Sequence, residues 1–252
     1  MIVPWLPLRT RIAMLVRLMT LQGSYNYETM IGNGIAFAME PALRLLPGGR
    51  GGDAYRDAMA RQSRYFNAHP YFAAVAVGAL ARAELALDPP ERIERFRTAS
   101  CGPLGSVGDR LVWAAWLPLC SLLALISFGM GMPAAGVVAL FLITYNIGHF
   151  SLRIWALNVG WRDGLAVAGA LGAPLFRAGP AVLTRAAAFA AGIAIPVTIA
   201  TAIGARPSGV ILVSTLAALG AAVLFLLHGR LAGWRVAIWL LTASTVAAMV
   251  IR

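Results

Sequence analysis

The feature that constrains this chain most is a series of long apolar runs after residue 110. Residues 111–252 contain eight arginines and a single acidic residue, Asp163. A helix needs about 17–25 mostly apolar residues to cross a bilayer, and five runs approach that length. The predicted membrane spans are 111–128, 134–150, 186–204, 209–227 and 234–251.

Composition supports the same class. Of 252 residues, 60% are hydrophobic and only 12% are charged, whereas soluble proteins carry roughly 25% charged residues. A soluble domain of this size would lack the polar surface to cover its core. We therefore predict an all-α integral membrane protein with about five transmembrane helices.

The first 110 residues are different, with 13 arginines and nine acids. We predict a largely cytoplasmic-side region, 1–110, of amphipathic, half-inserted and broken helices, followed by a transmembrane region, 111–252. Near the start, Ile12, Leu15, Val16 and Met19 recur with helical spacing. This spacing predicts an amphipathic helix that lies at the membrane interface or against a partner helix.

Orientation follows from arginine, which favours the cytoplasmic side of a membrane. With residues 1–110 inside, only Arg206 and Arg252 fall outside. The N-terminus is then cytoplasmic and the C-terminus external. Segment 164–176 is too short to cross unaided and is either re-entrant, tilted or packed as a helix, so the number of crossings stays open.

Several function classes lack their sequence patterns. The net charge of +11 is dispersed, without the basic run that nucleic-acid binding uses. Cys101 and Cys120 match no metal or redox spacing. The glycine-rich "GPLGSVGD" is not followed by the GK[ST] of a phosphate-binding loop. We predict no nucleic-acid partner, no metal and no cofactor.

Four polar clusters interrupt the apolar background. "LQGSYNYETM" supplies Gln22, Asn26 and Glu28, "YFNAHPYF" supplies Asn67 and His69, "GPLGSVGD" supplies Asp109, and "TYNIGHF" supplies Asn146. Amide, acidic and imidazole groups beside aromatic rings are typical of carbohydrate sites. Ionisable groups in a membrane chain usually mark a functional path.

Structural roles remain open for the same residues. Glu28 and Asp109 fit helix caps or ion pairs, and His69 before Pro70 fits a turn. The glycines of "GPLGSVGD" stand at the mouth of the first span. Irregular backbone at membrane depth is tolerated where it lines a cavity or is buried in protein, so we predict a broken helix here that helps to form a binding site.

Taken in order, the clusters resemble a known family. "QGSYNYETM", "FNAHP", "GPLGSVGDRLVW" and "YNI" match motifs of the IID subunit of the mannose/fructose/sorbose family of the sugar phosphotransferase system. Their order and spacing agree over residues from about 12 to 165. The tail, a basic "HGRLAGWR" turn before a final span, is similar as well.

The resemblance implies a subunit of a bacterial inner membrane that is not an enzyme by itself. It implies a IIC membrane subunit as partner, assembly as a trimer of IIC–IID pairs, and a hexose that soluble IIA and IIB phosphocarrier subunits phosphorylate. By the same resemblance, the sugar path is lined by Gln22, Asn26, Glu28, Asn67, His69 and Asn146, and a half-inserted loop is shaped by Gly102, Gly105, Gly108 and Asp109.

Two departures from the family pattern leave alternatives. Arg110 replaces a small hydroxyl residue and offers Asp109 an ion-pair partner. The polar segment between the later spans is reduced to "ARPS". The alternatives are an intramembrane transferase that uses His69 or Asp109, and a regulatory or scaffold remnant of a phosphotransferase system.

Overall fold

The structure, a computed structural model, describes residues 5–202 and the single helical positions Thr215, Leu219 and Trp239. Over 5–202 the chain is helical, and two isolated β-bridges are present instead of strands. The predicted all-α class is confirmed. Apart from the three single positions, the predicted spans 209–227 and 234–251 lie outside the described residues, as do the last two residues of span 186–204.

The N-terminal region forms four helices and a short 3₁₀ turn: α1 (Leu8–Leu18), α2 (Gly32–Leu43), the 3₁₀ turn (Gly49–Gly51), α3 (Asp53–Gln62) and α4 (Ala73–Leu85). The predicted helix near the start is present as α1. Met14 and Leu18 are buried, whereas Ile12 and Val16 are exposed. The exposed face that carries Ile12 and Val16 is available to the membrane interface or to a partner helix, and that role stays a prediction.

Helix α4 lies in the middle of the main hydrophobic core. All its residues except Arg82 and Leu85 are buried, as expected of a helix that is apolar on all sides. The surrounding core includes Met14, Phe66 and Leu157. Helix α4 is therefore an interior helix of the fold.

Arginines from three segments converge on one carboxylate in α2. Glu40 is 6% exposed and accepts hydrogen bonds from Arg17 (2.7 Å), Arg44 (2.6 Å) and Arg50 (2.8 Å). Burial alone would raise the pKa of Glu40, but these hydrogen bonds outweigh it and lower the pKa to about 2. The cluster ties α1 and the 3₁₀ turn to α2.

After α4 the chain forms a long continuous helical stretch: α5 (Pro90–Gly108), a π-helical stretch (Asp109–Trp116) and α6 (Leu117–Gly129). Pro90 and Glu91 suit the first turn of a helix. The prediction of a broken helix and loop at 102–109 is wrong. The backbone winds into wider π turns, which are often found at functional sites.

The remaining described elements are α7 (Ala134–Asp163), a 3₁₀ turn (Gly164–Ala166), α8 (Ala168–Leu171) and α9 (Pro174–Ala202). Helix α7 continues well past the predicted span 134–150, and α9 begins before 186. Within 164–176, Val167 and Phe176 belong to the core. The segment packs against the core, and its position relative to the membrane stays a prediction.

Three helical stretches are long and apolar enough to cross a membrane: Pro90–Gly129, Ala134–Ala166 and Ala168–Thr201. They include the described parts of the first three predicted spans. The chain is an α-helical membrane protein, and the total of five crossings stays a prediction.

The described residues pack as two compact units. The first contains the chain up to Leu117 together with Thr144–Thr184, and it holds the main core. The second contains Pro118–Ile143 and the described residues from Arg185 onward. In it, Thr198 on α9 donates a 3.2 Å hydrogen bond to the Leu125 carbonyl on α6. The predicted division at residue 110 concerns position relative to the membrane and stays a prediction.

Candidate functional site

A cavity of about 570 Å³ in the first unit lies between the segment that precedes α4 and one face of α5. Its wall contains residues from three of the four polar clusters: Gln22, Asn67, His69, Gly102, Gly105 and Asp109. Folding thus gathers side chains that are widely separated in the sequence. This cavity, named the polar cavity below, is the candidate site.

The rest of the wall mixes aromatic and small residues: Tyr25, Ile31, Tyr65, Ala68, Pro70, Cys101, Ser106 and Trp113. The Tyr25, Tyr65 and Trp113 side chains are partly exposed. A few polar groups set among apolar surfaces are the usual composition of a small-molecule site. Such a wall suits a ligand with hydroxyl groups and apolar C–H faces.

A buried network fixes the segment that carries Asn67 and His69. Arg97 of α5 donates to the Gln62 side chain (2.5 Å) and to the Arg64 carbonyl (2.9 Å). Gln62 in turn donates to Glu84 of α4 (2.7 Å), which also pairs with Arg61. Because each buried polar group has a partner, the network specifies a single conformation for the cavity wall.

Backbone hydrogen bonds hold the same segment on its other side. The Phe66 amide donates to the Thr29 carbonyl (3.1 Å), and the Ile31 amide donates to the Phe66 carbonyl (3.0 Å). The turn after "LQGSYNYETM" is thereby joined to "FNAHP". The two motifs form adjacent parts of one wall.

His69 is the most buried ionisable group of the wall, with 2% exposure. Its Nδ1 accepts a 3.2 Å hydrogen bond from the Tyr71 amide, so the neutral ring carries its proton on Nε2. Nε2 has no hydrogen-bond partner among the described residues. Burial, and to a lesser degree Arg153, lowers the pKa of His69 to about 4. The ring is therefore neutral at physiological pH and has one unused donor.

Gly108 allows α5 to approach this ring. A Cβ atom at Gly108 would lie 2.3 Å from Cβ and Cγ of His69, far inside contact distance. The ring also contacts Trp113, with 4.9 Å between centroids, and Tyr71, with 5.0 Å. Gly108 thus acts by packing behind His69, rather than by shaping a loop.

Asp109 and Arg110 do not form an ion pair with each other in the structure. Asp109 is exposed and lines the polar cavity, while Arg110 donates from Nε to the Ser106 carbonyl at 3.1 Å. The Asp109 carboxylate is left available to the cavity. No hydrogen bond joins it to His69, whose Nδ1 is taken by the Tyr71 amide.

Three predicted site residues lie outside the polar cavity. Asn26 closes its own turn, accepting from the Glu28 and Thr29 amides at 3.0 and 2.8 Å. The Glu28 side chain is exposed beside it. Asn146 lies on α7, with Oδ1 3.3 Å from Nδ1 of His149. A sugar-binding role for these three residues stays a prediction.

The aromatic part of the wall was not predicted from the sequence. One face of a helix that contains Gly102 includes the residues four, seven and eleven positions later, which are Ser106, Asp109 and Trp113. Had the stretch been interpreted as helical, Trp113 would have been included. Tyr25 stands inside the "QGSYNYETM" motif, but Tyr65 had no distinguishing signal.

A second polar group lies behind the wall, around Arg153 of α7. Its guanidinium is buried, donates to Nε2 of His149 at 2.7 Å and to the Leu18 carbonyl, and lies 4.8 Å from the centre of the Tyr71 ring. The Tyr71 and Tyr145 hydroxyls are 2.7 Å apart. Arg153 thereby connects the end of α1 to α7 and to the ring that touches His69.

The described residues contain no candidate metal site. Among the described residues, no group of three or more His, Cys, Asp or Glu side chains is arranged to hold a metal ion.

Comparison with known proteins gives a family match over most of the chain. The model of the PTS system mannose/fructose/sorbose family IID component matches residues 6–203. The mannose-specific EIID component of Escherichia coli K12 is 30% identical over 160 residues, which cover 60% of this chain and 54% of that protein. The fructose permease IID component of Bacillus subtilis is 28% identical over 160 residues, 62% of this chain and 57% of the relative.

The chain therefore aligns with little more than half the length of these curated relatives. Solved structures share its fold over a larger part. The mannose transporter ManYZ, determined by cryo-EM with microcin E492, matches with a TM-score of 0.59 and 24% identity, over 75% of this chain and 69% of that one. A second membrane protein matches with a TM-score of 0.65 and 25% identity, over 75% and 70%.

Proposed function

The chain belongs to the IID components of the PTS mannose/fructose/sorbose family, and from this membership we propose that it is a non-catalytic permease subunit whose polar cavity binds a hexose. The observation that carries the proposal is the convergence of Gln22, Asn67, His69 and Asp109 on one wall. Neutral donors and acceptors with a single carboxylate suit an uncharged polyol.

His69 gives the cavity one hydrogen-bond donor that lacks an acceptor within the described part of the chain. A buried donor without a partner is unfavourable by about 1–3 kcal/mol, and Nε2 of His69 is such a donor. A sugar hydroxyl oxygen that accepts from Nε2 would remove this penalty. Asp109 would accept from a second hydroxyl, and the Tyr25, Tyr65 and Trp113 rings would cover the apolar face of the sugar.

A partner subunit would complete the site. The three rings are partly exposed although they line the cavity, and exposed aromatic side chains are enriched at protein interfaces. We infer that a IIC membrane subunit covers them and that IIC–IID pairs assemble as trimers. Soluble IIA and IIB subunits would then phosphorylate the released hexose, so this chain needs no nucleophile of its own.

Cys101 provides a direct test, because it lines the polar cavity while Cys120 is buried elsewhere in the chain. The full chain, isolated with its membrane partner, is treated with N-ethylmaleimide in the presence of mannose, fructose, sorbose or a non-sugar polyol. We expect one sugar to slow labelling of Cys101 and to raise the thermal midpoint, with Cys120 unlabelled. Unchanged labelling and midpoint with every sugar would contradict the proposal.

Asp109→Asn separates charge from shape at the same site. The amide keeps the volume of the side chain and loses the negative charge, so we expect weaker sugar protection with normal assembly. Normal protection would remove Asp109 from the mechanism. A group-transfer activity of the isolated chain that depends on His69 or Asp109 would instead favour the transferase alternative.

A further inference from the structure

A second, apolar cavity of about 400 Å³ lies in the first unit. Its wall comes from the π-helical stretch, from α7 and from the start of α9, and it includes Trp116, Trp155, Phe176 and Leu183. These segments belong to the three helical stretches that are able to span a membrane. The two cavities share no wall residue, so the apolar cavity requires its own explanation.

Three polar side chains on its wall, those of His149, Tyr71 and Trp116, are already bonded within the protein, and Ser151 adds a single hydroxyl. His149 accepts from Arg153 through Nε2 and lies beside Asn146 through Nδ1. The Tyr71 hydroxyl is paired with that of Tyr145, and Trp116 donates to the Tyr145 carbonyl at 3.5 Å. Water needs two to four polar partners to occupy a cavity, whereas apolar cavities stay dry and accept apolar guests. Neither water nor a sugar suits this space.

The surroundings indicate which apolar guest is available. A cavity walled by membrane-spanning helices has hydrocarbon chains as its nearest apolar molecules, and a chain that fills the space restores the van der Waals contacts that an empty cavity lacks. Arginines stand directly next to wall residues in sequence: Arg110 precedes Leu111, and Arg177 follows Phe176. Both side chains are exposed. Guanidinium groups bind phosphate through paired hydrogen bonds.

From these features we propose that the apolar cavity binds one acyl chain of an anionic glycerophospholipid, whose phosphate is held by Arg110 and Arg177. The bound chain packs against Tyr71, whose ring contacts His69 and Trp113 of the polar cavity at centroid distances of 5.0 and 5.8 Å. The lipid therefore supports the wall of the polar cavity from behind. This binding does not require the proposed sugar function.

The test fills the cavity with a larger side chain. Leu183 lines the cavity, and its neighbour Val182 is exposed, so Leu183→Trp and Val182→Trp form a matched pair. The full chain, isolated with its membrane partner in nanodiscs of mixed phosphatidylglycerol and phosphatidylcholine, is analysed by native mass spectrometry. We expect tightly held phosphatidylglycerol in the wild type and in Val182→Trp, and about tenfold weaker retention in Leu183→Trp, or about 1.4 kcal/mol. Equal retention in the matched pair overturns the proposal.

Two further measurements keep the test decisive if Leu183→Trp does not fold. A photoreactive benzoylphenylalanine at position 183 should crosslink to phospholipid, whereas crosslinks only to residues 203–252 or to a partner subunit would overturn the proposal. Arg177→Gln should reduce the preference for phosphatidylglycerol over phosphatidylcholine. An unchanged preference would contradict the assigned headgroup contact.

Discussion

At the scale of single residues, the polar cavity depends on how His69 is held. The ring is fixed by the Tyr71 amide on one nitrogen, by aromatic contacts on its edges and by Gly108 behind it. A ring held on so many sides keeps its free Nε2 donor in one orientation. Because the donor is already ordered, binding costs less conformational entropy and the affinity for the ligand is higher.

Gly108→Ala should displace the ring. The added methyl would lie 2.3 Å from two His69 carbons, and overpacking of this kind destabilises by about 1–3 kcal/mol. We expect a lower thermal midpoint and weaker sugar protection of Cys101. Gly192→Ala is the control, because a Cβ there meets nothing within 4 Å and alanine favours a helix. Equal midpoints in the two variants would contradict the packing of His69 on Gly108.

The protonation of His69 predicts a pH dependence of stability. Its pKa is lowered in the folded protein to about 4 from 6.5, so the neutral ring contributes its full stability above about pH 6.5. As the pH falls from 6.5 towards 4, the unfolded chain takes up the proton first and that contribution is lost. In His69→Gln, the midpoint should fall less between pH 7.5 and 5 than in the wild type. Parallel curves for the two proteins would refute the burial of a neutral ring.

Four polar residues of the wall belong to the predicted site, and their roles stay predictions. Gln22, Asn67, His69 and Asp109 stand out because polar side chains are rare in this chain, and the structure places all four in one cavity. Asn26 lies in the same motif as Gln22, but its side chain closes a turn. A motif identifies a segment and not which of its side chains face the cavity, since that depends on the backbone of the turn.

At the scale of helices, close backbone contact between α4 and α7 organises the first unit. Gly78 on α4 faces α7, and Gly160 on α7 faces α4. A Cβ atom at Gly160 would lie 2.1 Å from the Val75 carbonyl oxygen. A Cβ atom at Gly78 would lie 2.4 Å from the Leu157 carbonyl oxygen. Small residues allow such close packing of helices. Because His69 lies four residues before the first residue of α4 and Arg153 lies on α7, this crossing sets their separation.

Gly160→Ala should separate the two helices. The clash is with backbone, which cannot move aside as a flexible side chain can, so we expect destabilisation at the upper end of the range for overpacking, about 3 kcal/mol. The measurement is the thermal midpoint of the purified complex. Gly169→Ala is the control, since a Cβ there has open space. A Gly160→Ala protein as stable as this control would show that the helices are not in backbone contact.

Helices were easier to predict than breaks. The apolar runs at 111–128 and 134–150 predicted helices that the structure contains, because length and hydropathy leave few other possibilities at membrane depth. "GPLGSVGD" was predicted as a break from its glycines and proline, yet α5 runs through Pro103 to Gly108. In that stretch glycine serves close packing at Gly108 rather than a turn. Composition alone does not separate these two uses of glycine.

At the scale of the whole molecule, the distribution of arginine predicts the orientation in the membrane. The first 110 residues hold 13 of the 21 arginines. The turn between α6 and α7, Gly129–Pro133, has no charged residue, whereas Arg162 lies at the far end of α7. Arginine near span ends is retained on the cytoplasmic side. The two ends of α7 should therefore face opposite compartments, with the turn outside and Arg162 inside.

Reporter fusions at these two ends test the orientation. Alkaline phosphatase inserted after Gly131 should be active, because the enzyme folds only outside the cytoplasm, and green fluorescent protein inserted after Ala166 should fluoresce, because it folds inside. Exchanging the two reporters should silence both and serves as the control. The reverse pattern would place residues 1–110 outside. Soluble cytoplasmic phosphocarrier subunits would then lie on the wrong side of the membrane to reach that region, and the proposed coupling to them would fail with it.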